Sequence, residues 1–306
     1  MKTAAVIVTY NRKELLEENI KALLDQSEKL NKIFIIDNNS TDGTKSYLEQ
    51  KGYLKNQTIE YVRLEKNIGG AGGFSVGTKY AYEKGFDFIC LMDDDGKPND
   101  NDTIKNLLDA AVDIYNIEKR MMINPLVIGN ENTLSFGLKN IQTVNEAVAM
   151  SNEGRIKDII NPFNGTLISK ELIESIGVPN KEFFIKGDEA EYMMRAIKNN
   201  AYIATICNSR YHHPILSTNY TEIFGKRIKI SVEAPWKEYY RCRNYTYMFK
   251  ESKEYWKMFK QPVRQIRNVL LSDCNKRDSI IMIIRGFNDG ILSKLGARVK
   301  IGRAHV

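Results

Sequence analysis

The chain predicts an α/β fold, a parallel sheet doubly wound by helices, and three observations carry that expectation. Short β-branched or apolar runs alternate with helical patterns over the first hundred residues. Each run ends in a polar cluster, and those clusters are acidic, amide-rich or glycine-rich. In open sheets of this kind ligands collect at the carboxyl ends of the strands, so the clusters are expected to converge on one crevice.

The elements follow in order. Val6-Ile7-Val8-Thr9-Tyr10 reads as a first strand, after which Asn11 is expected to cap a helix with Glu14 three residues on. Leu15, Leu16, Ile20, Leu23 and Leu24 line one face of that helix. Ile33-Phe34-Ile35-Ile36 is a second buried strand, ending in Asp37-Asn38-Asn39-Ser40-Thr41-Asp42-Gly43-Thr44, with a helix through about Gln50. A third strand, Ile59 to Leu64, precedes Asn67-Ile68-Gly69-Gly70-Ala71-Gly72-Gly73-Phe74 and a helix near Ser75 to Lys84. The run Phe86 to Met92 then reads as a central strand, and it ends at Asp93-Asp94-Asp95. Further on, helices are expected over 101–118 and 170–176, and a strand over 166–169. Gly187-Asp188-Glu189-Ala190-Glu191-Tyr192 opens a helix to about Lys198, and a strand from Ala201 to Cys207 is closed by Arg210-Tyr211-His212-His213-Pro214. From Ile223 onward the pattern is helical, basic and aromatic.

At 306 residues the chain can bury a large core, and it is expected to form one main domain over 1–225 with a basic helical region over 226–306. The formal charge of +7 is uneven. Residues 226–306 hold 19 Lys and Arg against 7 Asp and Glu, a net of +12, whereas the rest holds 26 against 31, a net of −5. A basic tail on an acidic body suggests an anionic partner such as a membrane surface, a lipid pyrophosphate or nucleic acid. No apolar run approaches a membrane span, and strand-like sequence begins at Ala4, so no signal peptide is expected. Cys90, Cys207, Cys242 and Cys274 form no CxxC pair, which suits a reducing cytoplasm.

Three carboxylates at a buried strand end repel one another unless a cation or strong donors hold them. A divalent metal with a phosphate-bearing ligand is the economical explanation of Asp93-Asp94-Asp95, and an exposed acidic turn into Gly96-Lys97-Pro98 is the plain alternative. Asp37 suits an Asx turn or, alternatively, a hydrogen bond to a uracil-like base or a ribose. The glycines at 69–73 suit a flexible loop or a close backbone approach to phosphate or sugar. Asp188, Glu189 and Glu191 complement a helix dipole or supply a general base. His212 and His213 are structural or, beside an acidic cluster, ligands for Mn²⁺ or Mg²⁺.

Together Val8-Thr9-Tyr10-Asn11-Arg12, the 37–44 cluster, Asp93-Asp94-Asp95 and Asp188-Glu189-Ala190-Glu191-Tyr192 resemble, in order, the motifs of family 2 glycosyltransferases of the GT-A fold. The resemblance runs to Tyr239-Tyr240-Arg241-Cys242-Arg243-Asn244, and the 67–74 stretch looks most like bacterial galactofuranosyltransferases, with rhamnosyltransferases next. It implies a Rossmann-like mixed sheet flanked by helices, with a C-terminal helical extension. It further implies nucleotide contacts from Thr9 and Asp37, donor-sugar contacts near Asn67, Gly69 and Gly70, and donor contacts from Asp93 and Asp94. Metal ligation is implied for Asp93, Asp95 and His212, with His213 as substitute. Glu189 matches the catalytic base, usually Asp in such relatives, with Asp188 as fallback.

The implied activity is inverting, metal-dependent transfer of a sugar, best galactofuranose from UDP-galactofuranose, to a glycan or lipid-linked acceptor in bacterial surface polysaccharide synthesis. A sugar-nucleotide-forming nucleotidyltransferase would need an early glycine-rich phosphate loop with a basic residue, absent after Val8. A non-enzymatic protein that binds an anionic polymer would explain the tail but not the acidic body, so no nucleic-acid partner is expected. The aromatics and cations from Pro235 to Phe249 read either as a helical cap or as a platform on an anionic bilayer.

Overall fold

The computed structural model describes residues 1–215, 219–223 and 226–299. His305 and the other residues beyond 299 lie outside the described residues. The chain divides into two compact units, residues 1–179 with 192–215, and residues 180–191 with the chain from 216 onward. The division thus falls ten residues before the boundary expected at 225, and it assigns the 180–191 segment to the second unit.

The first unit begins with β1 (Thr3–Thr9), α1 (Lys13–Leu24), β2 (Lys32–Asp37), α2 (Thr44–Gln50), β3 (Ile59–Arg63), α3 (Gly69–Glu83) and β4 (Phe88–Asp93). It continues with β5 (Lys97–Pro98), α4 (Thr103–Tyr115), β6 (Met121–Ile128), β7 (Thr133–Leu138), β8 (Ile141–Thr143), α5 (Val144–Met150) and β9 (Arg155–Lys157). β10 (Asn164–Ser169), α6 (Lys170–Ile176), most of α7 (Asp188–Lys198) and β11 (Tyr202–His212) complete it. The main strand order is β3-β2-β1-β4-β10-β6-β11-β5. β1 to β4 are parallel, β10 runs antiparallel to both β4 and β6, and β11 is parallel to β6, so the sheet is mixed.

Both faces of the sheet are covered, which is why its central strands are apolar throughout. Every residue of β1 is buried. Ala5 and Ile7 pack into a cluster with Leu16, Ile20 and Leu107, whereas Ala4, Val6 and Val8 enter the opposite cluster with Phe74 and Ala81. The parallel register sets Thr9 opposite Asp37 and Val8 opposite Asp93, so the carboxyl ends of β2, β1 and β4 lie side by side.

Three local expectations change. Asn11 does not cap α1: it has φ +55°, the helix starts after Arg12 with no side-chain cap, and Asn11 Oδ1 instead accepts the Thr41 N–H at 2.7 Å. The glycine-rich stretch is no loop but the first turns of α3, pressed on the sheet. A Cβ at Gly73 would meet Val8 Cγ1 at 2.5 Å, and one at Gly77 would meet Val6 Cγ1 at 2.4 Å, so only a bare backbone can approach β1 this closely. β11 extends through His212 around a bulge: Ile206 pairs with Pro125 and Arg210 already with Leu126, leaving Cys207, Asn208 and Ser209 looped out.

The second unit holds an antiparallel hairpin, β12 (Asn219–Ile223) and β13 (Lys226–Ile230), where helix was expected, followed by α8 (Pro235–Glu251), α9 (Tyr255–Leu270) and α10 (Lys276–Ile291). Tyr239 and Tyr240 of α8 are fully buried against Phe184, with Trp236, Ile185 and Met282 around them. These aromatics pack into the unit's core, which favours the helical-cap reading of 235–249 over the bilayer platform.

Candidate active site

The carboxylate triplet closes β4. Asp94 turns inward, nearly buried, and accepts the Thr9 hydroxyl at 2.7 Å and an Arg12 N–H at 3.1 Å. The same Arg12 nitrogen donates to Asp95 Oδ2 at 2.8 Å. Asn19 Nδ2 donates to the Asp93 carbonyl at 3.1 Å. Thr9 and Asp94, both candidate donor contacts, are therefore also partners of each other. Arg12 was quoted within a motif but given no role from sequence, because pairing with β4 arises only from the β1–β4 register.

Electrostatics divide the triplet. Burial, then the charges of Asp95 and Asp94, push the Asp93 carboxyl up to about 8, with Arg12 and His213 only partly offsetting them. Burial likewise pushes Asp94 up to about 6 against the pull of Arg12 and Thr9. Burial also acts to raise Asp95, but His213 and Arg12 outweigh it and hold that carboxyl below its ordinary value.

The histidine that meets the triplet is His213, not His212. Its Nε2 faces Asp95 Oδ1 at 3.4 Å, while its Nδ1 lies 2.8 Å from the Pro214 carbonyl and 3.3 Å from Ser135 Oγ. His212 pairs in register with Lys97, and burial together with the Lys97 charge lowers its pKa, surroundings that disfavour a second cation. Sequence offered no way to choose, because the three looped-out residues of β11 reset which face each later residue takes.

The residues fit a divalent ion. Asp95 Oδ1 is buried and has no hydrogen-bond partner among the described residues, and it points at an imidazole nitrogen. Donation from His213 Nδ1 to a carbonyl leaves Nε2 its lone pair, the second contact that orients a metal-binding imidazole. A carboxylate–imidazole donor set suits Mn²⁺ or Mg²⁺. Among the described residues no group of three or more His, Cys, Asp or Glu is drawn together, so an ion bound here would need further ligands from outside the protein.

The other donor-side candidates lie at neighbouring strand ends. Asp37 is buried and accepts the Ser40 N–H at 2.7 Å and the Tyr61 hydroxyl, so its carboxylate fixes the start of the 37–44 segment through a bond three residues on, one residue longer than an Asx turn. Asn38 Oδ1 accepts the Ile68 N–H at 2.9 Å, and Asn67 Oδ1 accepts the Gly69 N–H at 2.8 Å, which fixes the start of α3. Gly70 has open space where its side chain would be.

In the second unit, Glu189 Oε2 accepts the Gly187 N–H at 3.0 Å, and Asp188 is almost fully buried. Burial, then Glu189 and Asp188, push the neighbouring Tyr245 hydroxyl up to about 12. The approach to these carboxylates is tightly turned, with φ +65° at Phe184, +67° at Lys186 and +87° at Gly187. Two residues from α8 gather its carbonyls. Asn244 Nδ2 donates to Phe183, Ile185 and Lys186 at 3.0, 2.9 and 2.6 Å, and the buried Arg243 donates to Glu182, Phe183 and Gly296. The sequence held Arg243-Asn244 only as the end of a motif. Their full burial is what reveals the task.

Comparison with known proteins agrees with this architecture. Residues 4–123 match the family described as glycosyl transferase family 2. The galactofuranosyltransferase GlfT1 of Mycolicibacterium smegmatis is 26% identical over 257 residues, covering 81% of this chain and 82% of its own. The dTDP-rhamnosyl transferase RfbF of Shigella flexneri is 28% identical over 244 residues, covering 78% and 77%. Among solved structures, a mannosyltransferase of Pyrobaculum calidifontis in complex with GDP-Man and Mn²⁺ superposes with a TM-score of 0.59 at 12% identity, covering 96% of this chain and 88% of that one. Residues 4–123 are therefore similar to glycosyl transferase family 2, and the chain has the GT-A fold.

Proposed function

We propose that the protein is an inverting, divalent-metal-dependent glycosyltransferase that takes a sugar from a nucleotide-diphosphate donor. The observation that carries this reading is Asp95 Oδ1, buried without a hydrogen-bond partner among the described residues and aimed at His213 Nε2. The likeness to GlfT1 favours galactofuranose from UDP-galactofuranose as the donor sugar, and the likeness to RfbF supports a rhamnosyl donor as the second reading. The acceptor is a hydroxyl of a glycan or lipid-linked glycan in bacterial surface polysaccharide synthesis, and the setting is cytoplasmic.

Asp95 and His213, already face to face, would hold Mn²⁺ or Mg²⁺, with His213 taking the place first given to His212, and Asp93 would join them when the ion binds. When bound, the ion supplies positive charge against the pyrophosphate as the nucleoside diphosphate departs. Thr9, Asp37, Asn67, Gly69, Gly70 and Asp94 shape the donor side. Glu189 takes the proton from the acceptor hydroxyl, whose oxygen attacks the anomeric carbon opposite the leaving group and inverts it. Asp188 is the alternative base.

A panel of nucleotide sugars, each incubated with the protein and Mn²⁺, tests the reading by release of nucleoside diphosphate. One donor should stand out, and Glu189→Gln should bind that donor while losing about a hundredfold or more in transfer. Near-wild-type turnover in Glu189→Gln would remove the base assignment.

A further inference from the structure

Helix α9 is built inside out. Its buried side carries Gln261, Gln265 and Asn268 beside Met258, Pro262 and Val269, whereas its solvent side displays Tyr255, Trp256, Phe259, Val263 and Leu270. Trp256 is 78% exposed and Val263 67%. The amides inside have partners: Gln265 Nε2 donates to Glu238 Oε2 at 2.6 Å, and Gln261 Oε1 accepts from Arg264 at 2.7 Å. An ordinary surface helix shows the opposite arrangement, so an exposed apolar stripe with polar backing marks a face made for a partner.

Charge indicates which partner. At roughly 100° per residue, Tyr255, Phe259, Leu270, Val263 and Trp256 span an arc of about 100°. Arg267, Lys260, Arg264 and Lys257 fill the next arc of about 80°, all four exposed. Glu254, just ahead of the helix, pairs with Lys257 at 2.5 Å. Aromatic and aliphatic residues on one side and cations on the other match the layers of an anionic bilayer surface, acyl boundary next to headgroups. No described helix is long and apolar enough to cross a membrane, so α9 would lie in the interfacial plane.

We propose that the exposed face of α9 docks the protein on an anionic lipid surface, with Trp256, Phe259 and Val263 entering the acyl boundary and Lys257, Lys260, Arg264 and Arg267 meeting headgroups. The claim is independent of the catalytic assignments, since none of these residues belongs to the candidate active site.

Full-length protein is sedimented at low salt with phosphatidylcholine vesicles that contain or lack phosphatidylglycerol, while tryptophan emission is followed. Binding should appear only with the anionic lipid, salt should reverse it, and Trp256 emission should shift to the blue. Lys260→Glu with Arg264→Glu, and separately Trp256→Ala with Val263→Ser, should each weaken binding about tenfold or more, with circular dichroism unchanged. Failure of the wild-type chain to bind anionic vesicles overturns the proposal, as does binding insensitive to both α9 variants. A dimer in solution that Trp256→Ala dissolves, without vesicle binding, would assign the face to a second copy and equally overturn it.

Discussion

His212 and His213 are neighbours in the chain with opposed surroundings. Burial acts to lower the His213 pKa, but the facing Asp95 carboxylate, with Pro214 and Asp93, raises it above the ordinary histidine value. A proton and a metal ion compete for Nε2, so metal-dependent transfer should rise with pH through that elevated pKa. His213→Ala should lower Mn²⁺ affinity at least about tenfold, read by titration calorimetry, and flatten the pH profile. His212→Ala should leave both near wild type. Equal losses in the two variants would remove the preference for His213.

Two elements lend themselves to separate tests. In α3, Gly77→Ala would drive a methyl against Val6 and Ile36, at 2.4 and 2.9 Å from their nearest side-chain atoms, in the middle of the core. We expect a loss of about 1–3 kcal/mol in urea unfolding, whereas Gly70→Ala, with open space around it, should be neutral or slightly stabilising. In α8, Asn244→Ala would strand the Ile185 and Lys186 carbonyls of the turn that leads to Asp188 and Glu189, while the Phe183 carbonyl keeps Arg243 as donor. If those carboxylates act on the acceptor, its kcat should fall while donor affinity holds; a loss of thermal stability alone, with kcat intact, would make the contact purely structural.

The amino-terminal strand–helix alternation was legible because buried parallel strands must be apolar on both faces, as β1 and β4 are. The grouping of Thr9, Asp37 and Asp93 followed, since parallel register brings carboxyl ends together. The glycines of α3 were harder to read, because their purpose is an approach to Val8 and Val6 that has no local signature. The β12–β13 hairpin was hidden by basic and aromatic composition, although Arg227-Ile228-Lys229-Ile230 alternates as a strand does. The α9 region was legible only as helical, basic and aromatic; which stripe faces the core is decided at α8, where Glu238 Oε2 accepts from the Gln265 amide.

For the molecule as a whole, the triplet sets a dependence on pH. The folded-state pKa of Asp93, about 8, lies above its ordinary value of 3.8, so between them the folded protein holds a proton that the unfolded chain has lost. Stability therefore falls as pH rises through that window. The raised His213 acts in the same direction as pH passes its own pKa, while the lowered Asp95 opposes both only at the acid end. Thermal melting in chelator should give a lower midpoint at pH 8 than at pH 5.5. Mn²⁺ should restore it mainly at pH 8, and a Mn²⁺ effect independent of pH would count against the carboxylate site.

The looped-out triplet Cys207-Asn208-Ser209 has a consequence for how such chains can vary. An odd number of extra residues inverts the inside–outside alternation of everything after it, so loop length works as a parity setting for the end of β11. A one-residue slip in the register of the segment after the loop would exchange the faces taken by positions 212 and 213. Two adjacent histidines leave an imidazole available in either setting, around a bulge whose Cys207 and Ser209 are buried and whose Asn208 alone is exposed.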